Sequence, residues 1–226
     1  MIPDGLGAAL EELYRRVPRG MSLGLAPMQA ACAKAGNPES AFAVVHVAGT
    51  NGKGSVCAMV EATARAAGRR TGLYTSPHLC RFAERIQVAG EPLPDAALAA
   101  ALGEALALGP DLTFFEAATL AAFLAFRRAG VELAVLEVGL GGRLDATNVV
   151  PAPAVGAITR IALDHMDILG PTLPAIAREK AGIAKAGMPL VVGALDADVE
   201  EAIVAVAAAA GARVERATED AAAQTL

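Results

Sequence analysis

The chain has no surplus of basic charge. In 226 residues, 19 Lys and Arg stand against 24 Asp and Glu, a formal net charge of −5, with a sequence isoelectric point of about 5.3. Binding to nucleic acid or to an anionic membrane needs concentrated Lys and Arg that displace counterions, so neither is expected as a partner. Small anions stay open as ligands. Long apolar runs are missing too. The best candidate, Ala117 to Phe126, is closed by Glu116 and Arg127, well short of the roughly 18 residues a membrane-spanning helix needs. The opening Met1-Ile2-Pro3-Asp4 has no basic region, and Glu11, Glu12, Arg15 and Arg16 break the apolar stretch behind it. No signal peptide is expected, and the location read from the sequence is cytoplasmic. Cysteine is scarce. Cys32, Cys57 and Cys80 are odd in number and lack CxxC spacing, which fits neither a disulfide framework nor a zinc site and predicts three small buried residues.

What is present is apolar: 54% of the chain against 19% charged. That balance excludes a disordered chain and is ample for one large core or two small ones. Val44, Val45 and Val47 before Gly49 read as a buried strand, and Ser55 to Ala67 as a helix closed by Gly68. Thr71 to Tyr74 predicts a strand, Ala96 to Leu108 and Phe114 to Ala129 helices, and Leu133 to Val138 a further strand. Ala154 to Ile158, a helix from about Leu173 to Lys185, Leu190 to Val192, a helix from Val199 to Ala210 and a short Ala212 to Glu215 segment continue the alternation. Arg216 to Leu226 is polar and Ala-rich with no closing signal. Short apolar strands separated by helices predict an α/β fold, a three-layer P-loop domain with a mainly parallel sheet.

The strongest local signal is His46-Val47-Ala48-Gly49-Thr50-Asn51-Gly52-Lys53-Gly54-Ser55. A glycine-rich turn between strand and helix presents successive backbone N–H groups at a helix N-terminus, where they cradle phosphate. Lys53 adds a cation and Ser55 a Mg²⁺ ligand, chemistry that fits ATP. The spacing departs from GxxxxGK[ST], since Thr50 and Asn51 alone separate Gly49 from Gly52 and Gly54 intervenes before Ser55. A second signal is Leu136-Glu137-Val138-Gly139-Leu140-Gly141-Gly142-Arg143-Leu144-Asp145-Ala146-Thr147-Asn148. Glu137 closes an otherwise apolar strand, where a carboxylate is costly unless paired with a neighbouring Arg or bound to metal. Asp164-His165-Met166-Asp167, Arg178-Glu179-Lys180 and Tyr74-Thr75-Ser76-Pro77-His78-Leu79 are weaker; read alone they are a loop histidine, a solvated helix face and a turn. Thr113-Phe114-Phe115-Glu116 reads as a helix start, with Thr113 the N-cap and Glu116 completing a capping box.

Taken together, HVAGTNGKGS, YTSPHL, TFFEAATL, LEVGLGGRLDATN, ITRIALDHMDILG and REKAGI, spread over about residues 19 to 193, resemble the ATPase domain of the Mur ligase superfamily. Within it the pattern is most similar to the folylpolyglutamate synthase/dihydrofolate synthase family. The resemblance implies an ATP-dependent ligase that phosphorylates the carboxylate of dihydropteroate or a reduced folate and passes the acyl group to the amine of L-glutamate. ATP and Mg²⁺ are the implied cofactors. Asn51, Gly52, Lys53, Gly54 and Ser55 would bind ATP, and Ser55, Ser76, Glu137, His165 and Lys180 would surround the metal. Lys180 corresponds to a lysine that is carbamylated in relatives, and Lys53, His165 and Lys180 would carry the catalysis. Ser22, Leu23 and Gly24, Thr113, Phe114, Phe115 and Glu116, and Leu144, Asp145 and Ala146 would hold the pterin-bearing acid. The resemblance also implies that residues 1–226 are a truncated ATP-binding domain whose C-terminal glutamate-ligase domain is absent. The alternatives are a catalytically incomplete ATP-binding remnant or interaction module, and another Mur-type amide ligase. The oligomeric state is not set by the sequence.

Overall fold

A computed structural model describes residues 5–20 and 24–217. In chain order the elements are α1 (Gly5–Tyr14), α2 (Ala26–Lys34), β1 (Ala43–Ala48), α3 (Lys53–Ala66), β2 (Thr71–Tyr74), β3 (Ile86–Val88), β4 (Glu91–Pro92), α4 (Asp95–Leu108), α5 (Phe114–Arg128) and β5 (Leu133–Glu137). There follow β6 (Val155–Ile158), the single turn α6 (Met166–Leu169), α7 (Leu173–Ala181), β7 (Pro189–Val192), α8 (Ala197–Ala210) and β8 (Arg213–Arg216).

The strands form one sheet in the order β4-β3-β2-β5-β1-β6-β7-β8. The run from β2 to β8 is parallel, while β3 and β4 extend it as an antiparallel edge. Parallel strands are buried when helices cover them, and alternation along β1 shows how the layers are divided. Val44 joins a cluster with Leu120, Phe123 and Phe126 of α5, and Ala48 joins Ile158, Leu190, Ile176 and Ile203 under α7 and α8. Val47, pointing the other way, packs with Cys57 of α3, Leu73 and Val135. The expected three-layer, mainly parallel α/β domain is therefore present.

The apolar run from Ala117 to Phe126 is buried along its whole length. It is a core helix, and no helix among the described residues is long and apolar enough to cross a membrane. Burying each of Phe123 and Phe126 contributes roughly 1.5–3 kcal/mol. Thr113 caps this helix as expected: its Oγ1 accepts from the Glu116 N–H at 3.3 Å, and Glu116 Oε2 accepts from the Thr113 N–H at 2.8 Å.

Three expectations need correction. Cys80 is exposed, unlike Cys32 and Cys57, because residues 79–81 form a surface loop whose N–H groups all point at the Glu84 carboxylate. The helix expected to reach Lys185 ends at Ala181. Gly182 follows, packed so closely on Arg143 that a Cβ there would strike that side chain, and its carbonyl accepts from Asn148 Nδ2 at 3.1 Å. The helix expected to begin at Ser55 begins at Lys53, which places Lys53 and Gly54 in the first turn. Helices α1 and α2 and the β3–β4 edge had no forecast. Helix α1 buries Ala9 and Leu13 in the core, and just beyond it the buried guanidinium of Arg16 donates to the carbonyls of Gly109 and Leu112 at 2.7 and 3.2 Å. Ser22 and Leu23, and the tail from 218 onward, lie outside the described residues.

Candidate active site

Strand order brings the site together. β1 lies between β5 and β6, with Val47 paired to Glu137 and Ala48 to Ile158, so the loops leaving all three strands meet at the same carboxyl edge, where ligands of open α/β sheets collect. The loop after β1 needs glycine. Gly49 has φ +146°, and a Cβ there would land on the Thr159 side chain. The strand-to-helix passage is braced by the loop after β6: Arg160 O accepts from Thr50 N at 2.8 Å, and Thr159 Oγ1 donates to Asn51 O at 2.8 Å. Gly52 then caps α3 in the left-handed region, leaving Asn51, Gly52 and Ser55 exposed at the positive end of a 14-residue helix.

Two lysines converge on this loop. Lys53 Nζ donates to Thr50 O at 3.1 Å, and Lys180 Nζ, projecting from α7, donates to Gly49 O at 2.9 Å. Lys180 is buried, and desolvation, reinforced by the charge of Lys53, brings its ammonium down to about 8. Glu137 faces the same space. A Cβ on Gly54 would lie 3.8 Å from both carboxylate oxygens, and Oε2 accepts from Ser76 N at 2.9 Å. Burial raises the Glu137 pKa, while the Ser76 N–H and the charges of Lys53 and Arg85 act against that rise. Lys53, Ser76, Glu137 and Lys180 thus gather as expected. His165, in the left-handed conformation at the start of α6, is exposed but lines the same cavity as Lys53 and Ser76.

Among the described residues, no group of three His, Cys, Asp or Glu side chains is placed to hold a metal. The donor set is of another kind: one buried carboxylate, Glu137, with the hydroxyls of Ser55 and Ser76 nearby. Such a sparse oxygen set suits Mg²⁺, which keeps several waters and shares its sphere with substrate phosphates. Lys180 as an ammonium donates a hydrogen bond and has no lone pair for a metal; only a carbamate on it would add an oxygen.

The cavity has a volume of about 600 Å³ and runs from Lys53 and Ser76 to Thr113, Phe114, Phe115 and Glu116 at the start of α5, and to Leu144, Asp145 and Ala146. These expected substrate residues do share one space with Lys53 of the phosphate loop. Gly24 is described but does not line the cavity. The far wall is held by a buried chain of polar groups that the sequence did not reveal. Asp145 accepts from the N–H groups of Gly139 and Leu140 at 3.0 and 2.9 Å, and from Thr147 N and Oγ1 at 3.0 and 2.5 Å. Because the Thr147 hydroxyl gives its proton to Asp145, it accepts at 2.8 Å from His46 Nε2. That fixes the Nε2–H tautomer and leaves Nδ1 buried without a partner among the described residues. Burial, with the charge of Lys185 adding to it, drives the His46 pKa to about 3, so the ring stays neutral. Arg85 was missed as well; it lines the cavity from the segment after β2.

A glycine loop between a central parallel strand and a helix, with a buried carboxylate and two lysines at the sheet edge, defines a phosphate-binding α/β domain of the nucleotide-dependent type. The chain belongs to the Mur ligase family: the Mur ligase middle domain matches residues 47–226. It is 44% identical over 209 residues to the dihydrofolate synthase/folylpolyglutamate synthase of Escherichia coli K12, covering 92% of this chain and 48% of that protein. Its fold superposes on E. coli FolC in complex with DHPP and ADP with a TM-score of 0.89 at 41% identity, over 96% of this chain and 52% of the other. The bifunctional folylpolyglutamate synthase/dihydrofolate synthase of Yersinia pestis, complexed with AMPPNP and Mn ion, gives a TM-score of 0.87 at 41% identity, over 96% and 52%. The chain spans about half the length of these relatives.

Proposed function

We propose that residues 1–226 form a Mur-ligase-type ATP-binding domain serving an acid:amine ligase that adds L-glutamate to dihydropteroate or a reduced folate. The observation that carries this reading is the single cavity in which a lysine-bearing phosphate loop faces an aromatic wall at Phe114 and Phe115. The relatives that hold DHPP with ADP, or AMPPNP with manganese, support the same pairing of ligands.

A carboxylate is a poor electrophile until one oxygen becomes a leaving group. In the proposed reaction a carboxylate oxygen of the acid attacks the γ-phosphorus of ATP and ADP departs. The glutamate amine then attacks the acyl phosphate carbon, phosphate leaves, and an amide remains. The loop from Asn51 to Ser55 would bind the phosphates through its N–H groups, with Lys53 opposing the charge that builds on the transferred group. Glu137, Ser55 and Ser76 would hold a Mg²⁺ ion, with His165 at its rim; the ion supplies charge neutralisation of the phosphates. Lys180 is suited to carbamylation, because a pKa near 8 leaves roughly a tenth of the amine neutral and nucleophilic at pH 7. Thr113 to Glu116 and Leu144 to Ala146 would enclose the acid, and Asp145 would act by shaping the loop.

Calorimetric titration of the chain with AMPPNP and Mg²⁺, then with dihydropteroate, tests the reading. Saturable binding of both is expected. Nucleotide binding with no affinity for dihydropteroate or a reduced folate would redirect the assignment to another Mur-type ligase. Binding of both without ADP release when ATP and glutamate are supplied would support the incomplete remnant.

A further inference from the structure

Arg85 is the buried cation of the cavity that the ligation chemistry above leaves without a task. It is only 7% exposed, although burying a guanidinium is costly unless its charge and N–H groups are satisfied. Part of the compensation is visible. The guanidinium carbon lies 5.7 Å from the centroid of Phe82 and 5.4 Å from that of Phe114, so two aromatic faces stabilise the charge. Its Nε–H donates to His78 Nδ1 at 2.7 Å. Since an Arg Nε–H only donates, the His78 proton sits on Nε2, 3.4 Å from Tyr14 Oη. The rest is missing: among the described residues neither terminal nitrogen of Arg85 has a hydrogen-bond or ion-pair partner.

A planar cation held through Nε by His78 and flanked by two adjacent aromatic rings leaves its two terminal nitrogens as a pair of N–H donors, the geometry that matches a carboxylate. Phe114 borders both the guanidinium and the cavity, so an aromatic acid stacked along that wall would bring its carboxylate to the free edge of Arg85. The same cavity is also lined by Lys53 of the phosphate loop.

We propose that Arg85 binds the reacting carboxylate of the aromatic acid substrate and aims it at the phosphate loop, with His78 as the positioning residue that sets the plane of the guanidinium. The assignment deepens the ligase reading and rests on it. It adds a specificity device: an acid is accepted and its uncharged analogue rejected, because the analogue leaves a buried cation unpaired.

The test compares equilibrium binding of dihydropteroate and of its carboxamide analogue to the full chain. The parent chain is expected to prefer the acid. Arg85→Gln is expected to weaken the acid by about 10- to 100-fold, the range of a charge-assisted hydrogen bond, and the amide by less than about threefold. AMPPNP affinity is expected to stay within about twofold. Arg85→Lys keeps the charge without the fork and is expected to fall between. The surface variant His78→Ala serves if Arg85→Gln does not fold, with an expected loss of about three- to tenfold for the acid alone. Equal loss of acid and amide, or loss of AMPPNP binding with the acid unaffected, would overturn the carboxylate role and leave the ligase reading standing. A parent chain that binds AMPPNP but no dihydropteroate would overturn both.

Discussion

Two loops face each other across the cavity and are held by opposite means. The loop from Gly49 to Lys53 is shaped by its own backbone, with a glycine at φ +146° and the N–H groups of Thr50 and Asn51 donating to Arg160 O, while among the described residues the N–H groups of Gly52 and Lys53 remain available to a ligand. The loop from Gly139 to Asn148 is shaped by one buried side chain, Asp145, which draws four donors inward. The difference follows from what each loop does. A phosphate cradle must leave the N–H groups at its helix end unspent, so its geometry comes from glycine and from a neighbouring carbonyl that holds the N–H groups just before them. A wall that shapes a pocket has no such need, and consumes its N–H groups on a carboxylate.

The comparison breaks most severely at Asp145. Asp145→Ala strands four donors in a buried setting and is expected to cost about 3–5 kcal/mol in urea unfolding, with collapse of acid binding but not of nucleotide binding in the surviving folded fraction. A loss below about 1 kcal/mol would mean that the backbone alone holds the loop. Gly49→Ala attacks the other side. The strained φ and the encounter with Thr159 are expected to cost about 1–3 kcal/mol and to weaken AMPPNP by at least about tenfold. An unchanged nucleotide affinity would show that the loop conformation is not what binds phosphate.

The smallest effect sharpens the contrast through pH. His46 is neutral when folded, with its pKa at about 3 instead of the ordinary 6.5. Between those values the unfolded chain binds a proton that the folded chain refuses, so the His46 contribution to stability falls as pH drops below about 6.5. Measured against His46→Leu, which has nothing to titrate, the parent chain is expected to lose about 1–2 kcal/mol of relative stability between pH 7 and pH 5. A constant difference over that range would refute the neutral, trapped imidazole.

The same contrast explains what the sequence made legible. Glycines at short spacing between an apolar strand and a helix announce a phosphate loop because the signal is local. The capping box at Thr113 and Glu116 was readable for the same reason, its partners lying three residues apart. Strand and helix order followed from apolar runs and glycine stops, failing where Gly182 ended α7 early against Arg143. The wall network was opaque, because Thr147 and His46 are 101 positions apart and a histidine within a valine-rich strand carries no mark of its partner. Arg85 hid in the same way: its meaning depends on Phe114 of another element. Cys80 misled because composition speaks for the average cysteine, and this one sits in a loop bound around Glu84.

The sheet order also sets a timetable. β5 lies between β1 and β2, yet it is made only after both of them and two further helices have been synthesised. Until residues 133–137 slot into that gap, the glycine loop on β1 and Ser76 beyond β2 belong to separate pieces of chain, and Glu137 does not exist to join them. Such late, long-range closure is slow. A ribosome-bound chain stalled before Leu133 therefore carries the glycine loop without its carboxylate, and the braces from Thr159, Arg160 and Lys180 follow only when β6 and α7 have been made.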